Sequence, residues 1–266
     1  MNTMSQFKEK LWNWGHLEGS HNRCVGASCS MTPEQFAREY GIPNAFIVSY
    51  GGNILPPYNS LARRFSGLRE IKWSVLGDAS TPLPEHPLGN TLDVCDIAGL
   101  TDHLTGGIMD DFFSPKRLHR FPPEILSQIR HTLNSLGLDF WCVLYENQLE
   151  LDIGSHLDCF DGITFWIWES DHIRQLEEFL PRLRTLAKSK PLMLGIYLWD
   201  YAGEKELDSG LFIHQLNRYG DLLQNGYIEG IIFCSGAIGD LELETNRILK
   251  QWVADRGEAE LPKERL

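Results

Sequence analysis

Short apolar runs alternate along this chain with longer segments whose apolar residues recur at helical spacing. Eight apolar runs have the length and composition of β-strands. They cover residues 11–17, 45–50, 70–76, 104–111, 139–145, 162–168, 191–199 and 230–235. Helical patterns between and after them are predicted at residues 32–41, 59–65, 91–103, 122–136, 172–188, 209–224 and 240–254.

The strand runs are apolar throughout and are separated by helices, which is typical of a parallel sheet covered on both faces. Eight such units within 266 residues match the roughly 250 residues that a (β/α)8 barrel needs. We therefore predict an α/β protein in which residues 1–266 form one single-domain TIM barrel, with a charged tail that frays from about residue 255. If one strand prediction fails, the alternative is a doubly wound open sheet.

Charge and hydropathy exclude several partners. The formal net charge is −12 and the pI is about 5.2, which argues against nucleic acid because phosphate binding needs clustered Lys and Arg. No apolar run approaches the roughly 20 residues that cross a bilayer, and residues 1–10 lack the apolar core of a signal peptide. We expect a soluble, cytoplasmic protein, or a secreted one if a signal has been removed. The sequence does not indicate an oligomeric state.

No cofactor or metal motif stands out. The GxSxG and Walker signatures are absent, and no two of the six cysteines form a CxxC pair. We predict no cofactor and no resident metal.

Candidate chemistry lies where the predicted strands end, because active sites of barrel enzymes are built at the carboxyl ends of the strands. Carboxylates, aromatic rings and a histidine follow the apolar runs there. The candidates at these ends are His16, Glu18, Tyr50, Asp110, Asp111, Tyr145, Glu146, Trp168, Glu169, Trp199, Asp200 and Tyr201. Taken singly, an acidic residue at a strand end often only caps a helix or starts a turn.

Asp110 and Asp111 are the most distinctive pair. A helix cap uses one carboxylate, whereas here two are followed by aromatic residues and a proline before the next predicted helix. Adjacent strand residues point to opposite faces of a sheet, so only one of the two can face the barrel axis. If Ile108 packs outward, Asp111 points inward and Asp110 holds Asp111 or a neighbouring loop in place. The register could also be reversed.

Aromatic and acidic residues together suit a carbohydrate. The rings of Trp168, Trp199 and Tyr201 fit the apolar faces of a sugar, and carboxylates bind its hydroxyl groups; the same rings could line a pocket for another small ligand. Glycoside hydrolysis needs two carboxyl groups across the scissile bond. We predict Asp111 and Glu169 for these roles, because Trp168 beside Glu169 favours its protonated form. Glu146 and Asp200 are competing partners.

Three segments carry a resemblance to a group of enzymes. Residues 108–113 (IMDDFF), 165–169 (FWIWE) and 198–201 (LWDY) resemble strand ends of (β/α)8-barrel glycoside hydrolases. The comparison is with retaining α-glycosidases, including α-galactosidases and α-fucosidases. The resemblance implies that an aspartate on the fourth strand is the nucleophile and, by analogy with the α-galactosidases, that a carboxylate on the sixth strand is the acid/base.

Two other functions are open. A non-catalytic barrel could bind sugar or another polar ligand through the same strand ends. A metal-dependent hydrolase is the second alternative, with a mixed ligand set of His16, Glu18, Asp111 and Glu169, since such N and O donors suit Zn²⁺ or Mn²⁺.

Overall fold

The computed structural model describes residues 5–262. Within this range eight strands close into a barrel in sequence order. The strands are β1 Leu11–Gly15, β2 Asn44–Ile47, β3 Ile71–Leu76, β4 Leu104–Met109, β5 Asp139–Tyr145, β6 Gly162–Trp166, β7 Leu192–Tyr197 and β8 Gly230–Cys234. The closed barrel confirms the predicted fold class and excludes the open sheet.

Helices follow the strands around the barrel. They are α1 Asn22–Val25, α2 Pro33–Tyr40, α3 Asn59–Arg64, α4 Thr91–Ala98, α5 Pro115–Arg120, α6 Pro123–Asn134, α7 Gly154–Leu157, α8 Leu176–Ala187, α9 Ser209–Gln224 and α10 Glu244–Arg256. The short helices α1, α5 and α7 were not predicted. Before α5, the Ser114–Pro115 pair that looks like a turn in the sequence places Pro at the first helical position, where its missing N–H costs nothing.

Local sequence signals explain α2. Thr32 Oγ1 accepts a hydrogen bond from the Gln35 backbone N–H at 3.2 Å, and Gln35 Oε1 accepts one from the Thr32 N–H at 2.8 Å. This reciprocal capping box satisfies two backbone donors that the first turn of a helix leaves unpaired. The helix ends at Gly41, whose φ of 67° is left-handed, as expected for a glycine after the last turn.

The chain divides into two compact units. Unit 1 comprises Met1–Ala45, Ile167–Glu178 and Leu192–Leu266, and unit 2 comprises Phe46–Trp166 and Phe179–Pro191. In unit 1, β8 pairs in parallel with β1 and with β7. In unit 2, β3, β4, β5 and β6 pair in parallel in that order. That the whole chain is one domain stays a prediction.

Glycines fix which way the residues of β4 point. A Cβ on Gly107 would lie 2.8 Å from Val75 Cγ2 and 3.0 Å from Leu133 Cδ1, so this position faces helix α6. Side chains alternate along a strand, and therefore Ile108 and Asp110 lie on the inner side of the sheet. The Asp110 N–H continues the ladder by donating to Leu76 O at 3.0 Å. The register is thus the reverse of the one that sent Ile108 outward.

A buried lysine lies near the amino-terminal end of β3. Lys72, on β3, is buried, and its Nζ lies 5.0 Å from the centre of the Trp141 ring and 3.7 Å from Asp139 Oδ2. Burial lowers the pKa of Lys72, and the charge of Asp139 opposes that shift. A Cβ on Gly106 would lie 3.2 Å from this ammonium group, so glycine makes room for the lysine.

The chain termini of unit 1 are held together. The Phe7 N–H donates to Ala259 O at 2.8 Å, and the Leu261 N–H donates to Ser5 O at 2.9 Å. Leu261 is buried. The tail therefore pairs with the N-terminal segment as far as Leu261. The fraying from about residue 255 stays a prediction, and residues 263–266 lie outside the described range.

Candidate functional site

In unit 2 the candidate site lies where β3, β4 and β5 end. Asp110 and Asp111 come directly after Met109, the last residue of β4. Asp111 has a left-handed backbone with φ of 44°. Aspartate tolerates this conformation better than most residues, although it remains uncommon for a side chain other than glycine. Because β4 has already ended, strict alternation no longer decides where the Asp111 carboxylate points.

Asp111 is partly exposed, and each of its carboxylate oxygens accepts a hydrogen bond. The Tyr145 hydroxyl, at the end of β5, donates to Oδ1 at 2.7 Å. The Ala79 backbone N–H, in the loop after β3, donates to Oδ2 at 2.8 Å. Donors from two neighbouring strand ends therefore fix the orientation of the carboxylate.

Asp110 is more deeply buried than Asp111. Its side chain is only 4% exposed, and its Oδ1 accepts a hydrogen bond from the Asp111 N–H at 2.8 Å. Burial raises the pKa of Asp110 well above its ordinary value, and the negative charges of Asp111 and Asp78 raise it further. The Arg117 guanidinium and the Asp111 N–H act in the opposite direction. The net effect is a raised pKa for Asp110, with burial as its main cause.

Asp78 organises the loop after β3. Its Oδ1 accepts hydrogen bonds from the Gly51 and Thr81 N–H groups, each at 3.0 Å, and from the Thr81 hydroxyl. Its Oδ2 accepts one from the Ser80 hydroxyl. These contacts use the carboxylate to join two loops, as an Asx turn does. Asp78 therefore positions the segment that carries the Ala79 N–H.

Two further predicted residues lie in this unit. Tyr50 is half-buried after β2, and its backbone N–H donates to Asn53 Oδ1 at 3.0 Å in a turn. Glu146 is buried and begins a short 3₁₀ turn, Glu146–Gln148, directly after Tyr145. Of the predicted residues, contacts bring Asp110, Asp111 and Tyr145 together.

In unit 1 the strand ends carry a continuous row of aromatic rings, which we call the aromatic row. The ring centres of neighbouring members lie 4.8, 5.4, 5.5 and 5.7 Å apart, and three of the four contacts are edge-to-face. The row consists, in order, of His16, His21, Tyr201, Tyr197 and Trp168. Edge-to-face packing is a preferred arrangement of aromatic pairs, so each ring holds the next in a set orientation.

The two ends of the aromatic row differ. His16 is buried, and burial, followed by the neighbouring His21, lowers its pKa well below the usual value. The imidazole is therefore neutral near pH 7. Trp168 is 39% exposed at the other end, which leaves part of the indole open to a ligand.

Asp200 has a structural role in unit 1. It is buried, its Oδ2 accepts a hydrogen bond from Ser170 Oγ at 2.7 Å, and its Oδ1 accepts one from the Gly203 N–H at 2.8 Å. Its backbone also pairs with Lys205. The carboxylate closes this small hairpin, and Trp199, Asp200 and Trp168 line a narrow cleft beside it.

Glu18 and Glu169 are exposed. Glu169 lies next to the exposed Trp168 in the chain, and its role as the acid stays a prediction. Among residues 5–262, no three His, Cys, Asp or Glu side chains are grouped so that they could hold a metal ion. Within unit 1, His16, Glu18 and Glu169 are thus not grouped as metal ligands.

A separate groove of about 660 Å³ lies in unit 1 between α2, α10 and the segment after β8. Its cations are paired: Arg247 contacts Glu244, and Lys250 lies 3.9 Å from Glu39. None of the residues predicted for the site lines this groove.

The predicted site residues do not include every contributor to these arrangements. Those missing are the Ala79 N–H, Asp78, the buried Arg117 on α5, and His21 and Tyr197 inside the aromatic row. A backbone donor leaves no trace in residue identity, and nothing in the sequence distinguishes a buried arginine from an exposed one. Tyr197 could have been found, because it lies two residues before Trp199 in a strand whose end was already under consideration.

Comparisons with known proteins show the fold. No family model matches the chain, and no curated protein matches it. Among solved structures, it is similar to the spore cortex-lytic enzyme SleL of Bacillus megaterium, with 11% identity and a TM-score of 0.56 over 99% of this chain and 77% of that one. The glycoside hydrolase domain of PgaB (BpsB) from Bordetella bronchiseptica matches with 11% identity and a TM-score of 0.51, over 85% and 92% of the two chains.

An amidohydrolase from Burkholderia multivorans with bound zinc is similar to the same degree. Its identity is 10% and its TM-score 0.57, over 96% of this chain and 92% of that one. At such identities the likeness establishes a shared barrel and nothing about the reaction. No helix in residues 5–262 has the length and apolar character needed to cross a membrane.

Proposed function

We propose that the chain is a glycoside hydrolase in which Asp111 is the carboxylate that meets the substrate. The observation that carries this proposal is the arrangement of Asp111: a partly exposed carboxylate at the end of β4, fixed by the Tyr145 hydroxyl and the Ala79 N–H. Its uncommon backbone conformation is of a kind that clusters at functional sites.

The environments of the two aspartates support this assignment. Neighbouring carboxyl groups in different environments are a recurring feature of acid/base sites. Here Asp110 is buried and its pKa is raised, while Asp111 is partly exposed and accepts two hydrogen bonds. In glycoside hydrolysis, positive charge develops at the sugar ring, and a carboxylate stabilises it or attacks the anomeric carbon. We assign that role to Asp111, with Asp110 holding its backbone.

The reaction also needs a carboxylic acid that protonates the leaving oxygen before water completes the cleavage. We propose Glu169 first and Glu146 second. Asp200 is a weaker choice, since both of its oxygens already bind Ser170 and Gly203. The aromatic row supports a sugar as ligand, because Trp168 offers an exposed indole held by Tyr197. His16, Glu18, Tyr50, Tyr145, Trp199 and Tyr201 remain proposed substrate contacts.

A non-catalytic carbohydrate-binding barrel is the second candidate. Asp78, Asp110 and Asp200 are buried and engaged in loop contacts, so they serve structure. If no acid reaches the substrate, the same surface binds sugar without cleaving it. Only the first candidate predicts that the protein hydrolyses a glycoside.

The test is a screen of aryl glycosides and oligosaccharides with the parent protein, Asp111→Asn and Asp152→Asn. Asp152 is an exposed aspartate of the same unit and serves as the matched control. Hydrolysis that Asp111→Asn abolishes and Asp152→Asn preserves supports the proposal. Full activity in Asp111→Asn would refute the role of that residue, and sugar binding without hydrolysis by the parent would favour the second candidate.

The acid is identified by comparing Glu169→Gln with Glu146→Gln on two substrates. An aryl glycoside with an acidic leaving group needs little protonation, whereas an oligosaccharide does. The variant that lacks the acid should therefore lose oligosaccharide cleavage while it retains aryl glycoside cleavage. If both variants keep full activity on both substrates, neither residue is the acid.

A further inference from the structure

Arg117 is a buried cation that serves the backbone. It lies on α5 and is 4% exposed. Its guanidinium donates through Nη1 to Gly77 O at 2.8 Å and to Asp110 O, and through Nη2 to Asp78 O. A buried charge is costly unless its donors are satisfied, and here three carbonyl oxygens accept from a planar group. One side chain thus joins the ends of β3 and β4.

The peptide units that Arg117 binds are the ones that hold Asp111. The carbonyl of Asp78 and the N–H of Ala79 belong to one planar peptide unit, and that N–H donates to Asp111 Oδ2 at 2.8 Å. Likewise, the carbonyl of Asp110 shares a peptide unit with the N–H of Asp111, which donates to Asp110 Oδ1. In both peptide units the carbonyl faces Arg117 and the N–H faces a carboxylate.

We propose that Arg117 is a positioning residue for Asp111. By fixing the planes of the 78–79 and 110–111 peptide units, it sets the direction of the Ala79 N–H and the left-handed backbone of Asp111. Its positive charge also opposes the rise in the pKa of Asp110 that burial and the neighbouring carboxylates cause. The inference deepens the proposed function, although the geometric coupling it describes can be measured whether or not Asp111 acts on a substrate.

Arg117→Lys is the decisive variant. Lysine keeps the charge but lacks the planar fork that reaches three carbonyls at once. Arg120→Lys is the matched control, because Arg120 lies on the same helix and donates to the carbonyls of Glu85 and His86, each at 3.0 Å, away from Asp111.

The readout is the Ala79 amide signal in ¹H–¹⁵N spectra of the labelled protein, with Asp111→Asn as the reference for a changed acceptor. In Arg117→Lys we expect the Ala79 proton to move upfield and its amide to exchange about tenfold faster. Arg120→Lys should leave both unchanged. Adding guanidinium at a non-denaturing concentration to Arg117→Ala should restore the signal, whereas the same concentration of NaCl should not.

An unchanged Ala79 signal in folded Arg117→Lys would overturn the proposal. Arg117→Gln is the second variant, and failure of both to fold would overturn it in favour of a purely structural role. On any substrate that the parent hydrolyses, Arg117→Lys should lower kcat by about 10–100-fold with little change in KM. If Asp111→Asn proves fully active, the proposed function fails, while the Ala79 result still decides whether Arg117 positions that carboxylate.

Discussion

The buried carboxyl of Asp110 makes a prediction about stability that needs no substrate. Its pKa in the folded protein is raised, chiefly by burial, whereas an unfolded aspartate titrates near 3.9, as an approximate reference. Between these two values the folded protein binds more protons than the unfolded chain. Its free energy of unfolding therefore falls as pH rises from about 4 and levels off above the folded-state pKa.

Asp110→Asn removes this dependence. The amide stays neutral at every pH, and its oxygen can still accept the Asp111 N–H that Asp110 Oδ1 accepts at 2.8 Å. The advantage of the variant over the parent should be small near pH 4. It should grow by about 1.4 kcal/mol for each pH unit up to the folded-state pKa, and then stay constant.

Denaturant unfolding at a series of pH values between 4 and 8 measures the difference. Asp152→Asn, an exposed substitution, corrects for the general effect of removing one negative charge from a chain of net charge −12. Parallel curves for the parent and Asp110→Asn would refute the reasoning, because Asp110 would then titrate alike in the folded and unfolded states.

Two remaining predictions concern packing and ligand binding. Gly107→Ala should lower the free energy of unfolding by about 1–3 kcal/mol, since its Cβ would lie 2.8 Å from Val75 Cγ2. Gly154→Ala is the control and should leave the stability unchanged, because its Cβ would meet nothing within 4 Å. Equal thermal stability of the two variants would contradict the inward register of Asp110. Trp168→Ala should weaken oligosaccharide binding in calorimetric titration. The melting temperature should not change, because the indole is already 39% exposed. Unchanged affinity would show that Trp168 is not part of the site.

The barrel could be predicted from sequence because its signal is repeated. Each buried strand of a parallel sheet is apolar on both faces, and eight such runs alternate with helices. The strand ends were less accurate: β1, β4, β6 and β7 each end two residues before the predicted end. Residues beyond the ladders, such as Ile167 and Leu198, are also buried, so the apolar run continues after the pairing stops.

The geometry of the site could not be predicted from the sequence. The pair at 110–111 was recognised, but its register stayed open, because Gly106 and Gly107 have no side chain to show which face is crowded. Asp200 was a competing candidate for the acid, and both of its oxygens accept hydrogen bonds within a hairpin. Glu169 was expected beside a desolvating ring and is exposed. Each outcome depends on tertiary contacts that residue type and spacing do not encode.

The central claim is that Asp111 meets the reacting carbon of a sugar. The most direct measurement is a crystal structure of Asp111→Asn soaked with an oligosaccharide that the screen identifies. We predict a sugar whose anomeric carbon lies about 3–3.5 Å from the side chain at position 111, the separation of groups poised to react. A sugar bound with residue 111 out of contact, or seated only on the aromatic row, would contradict the account.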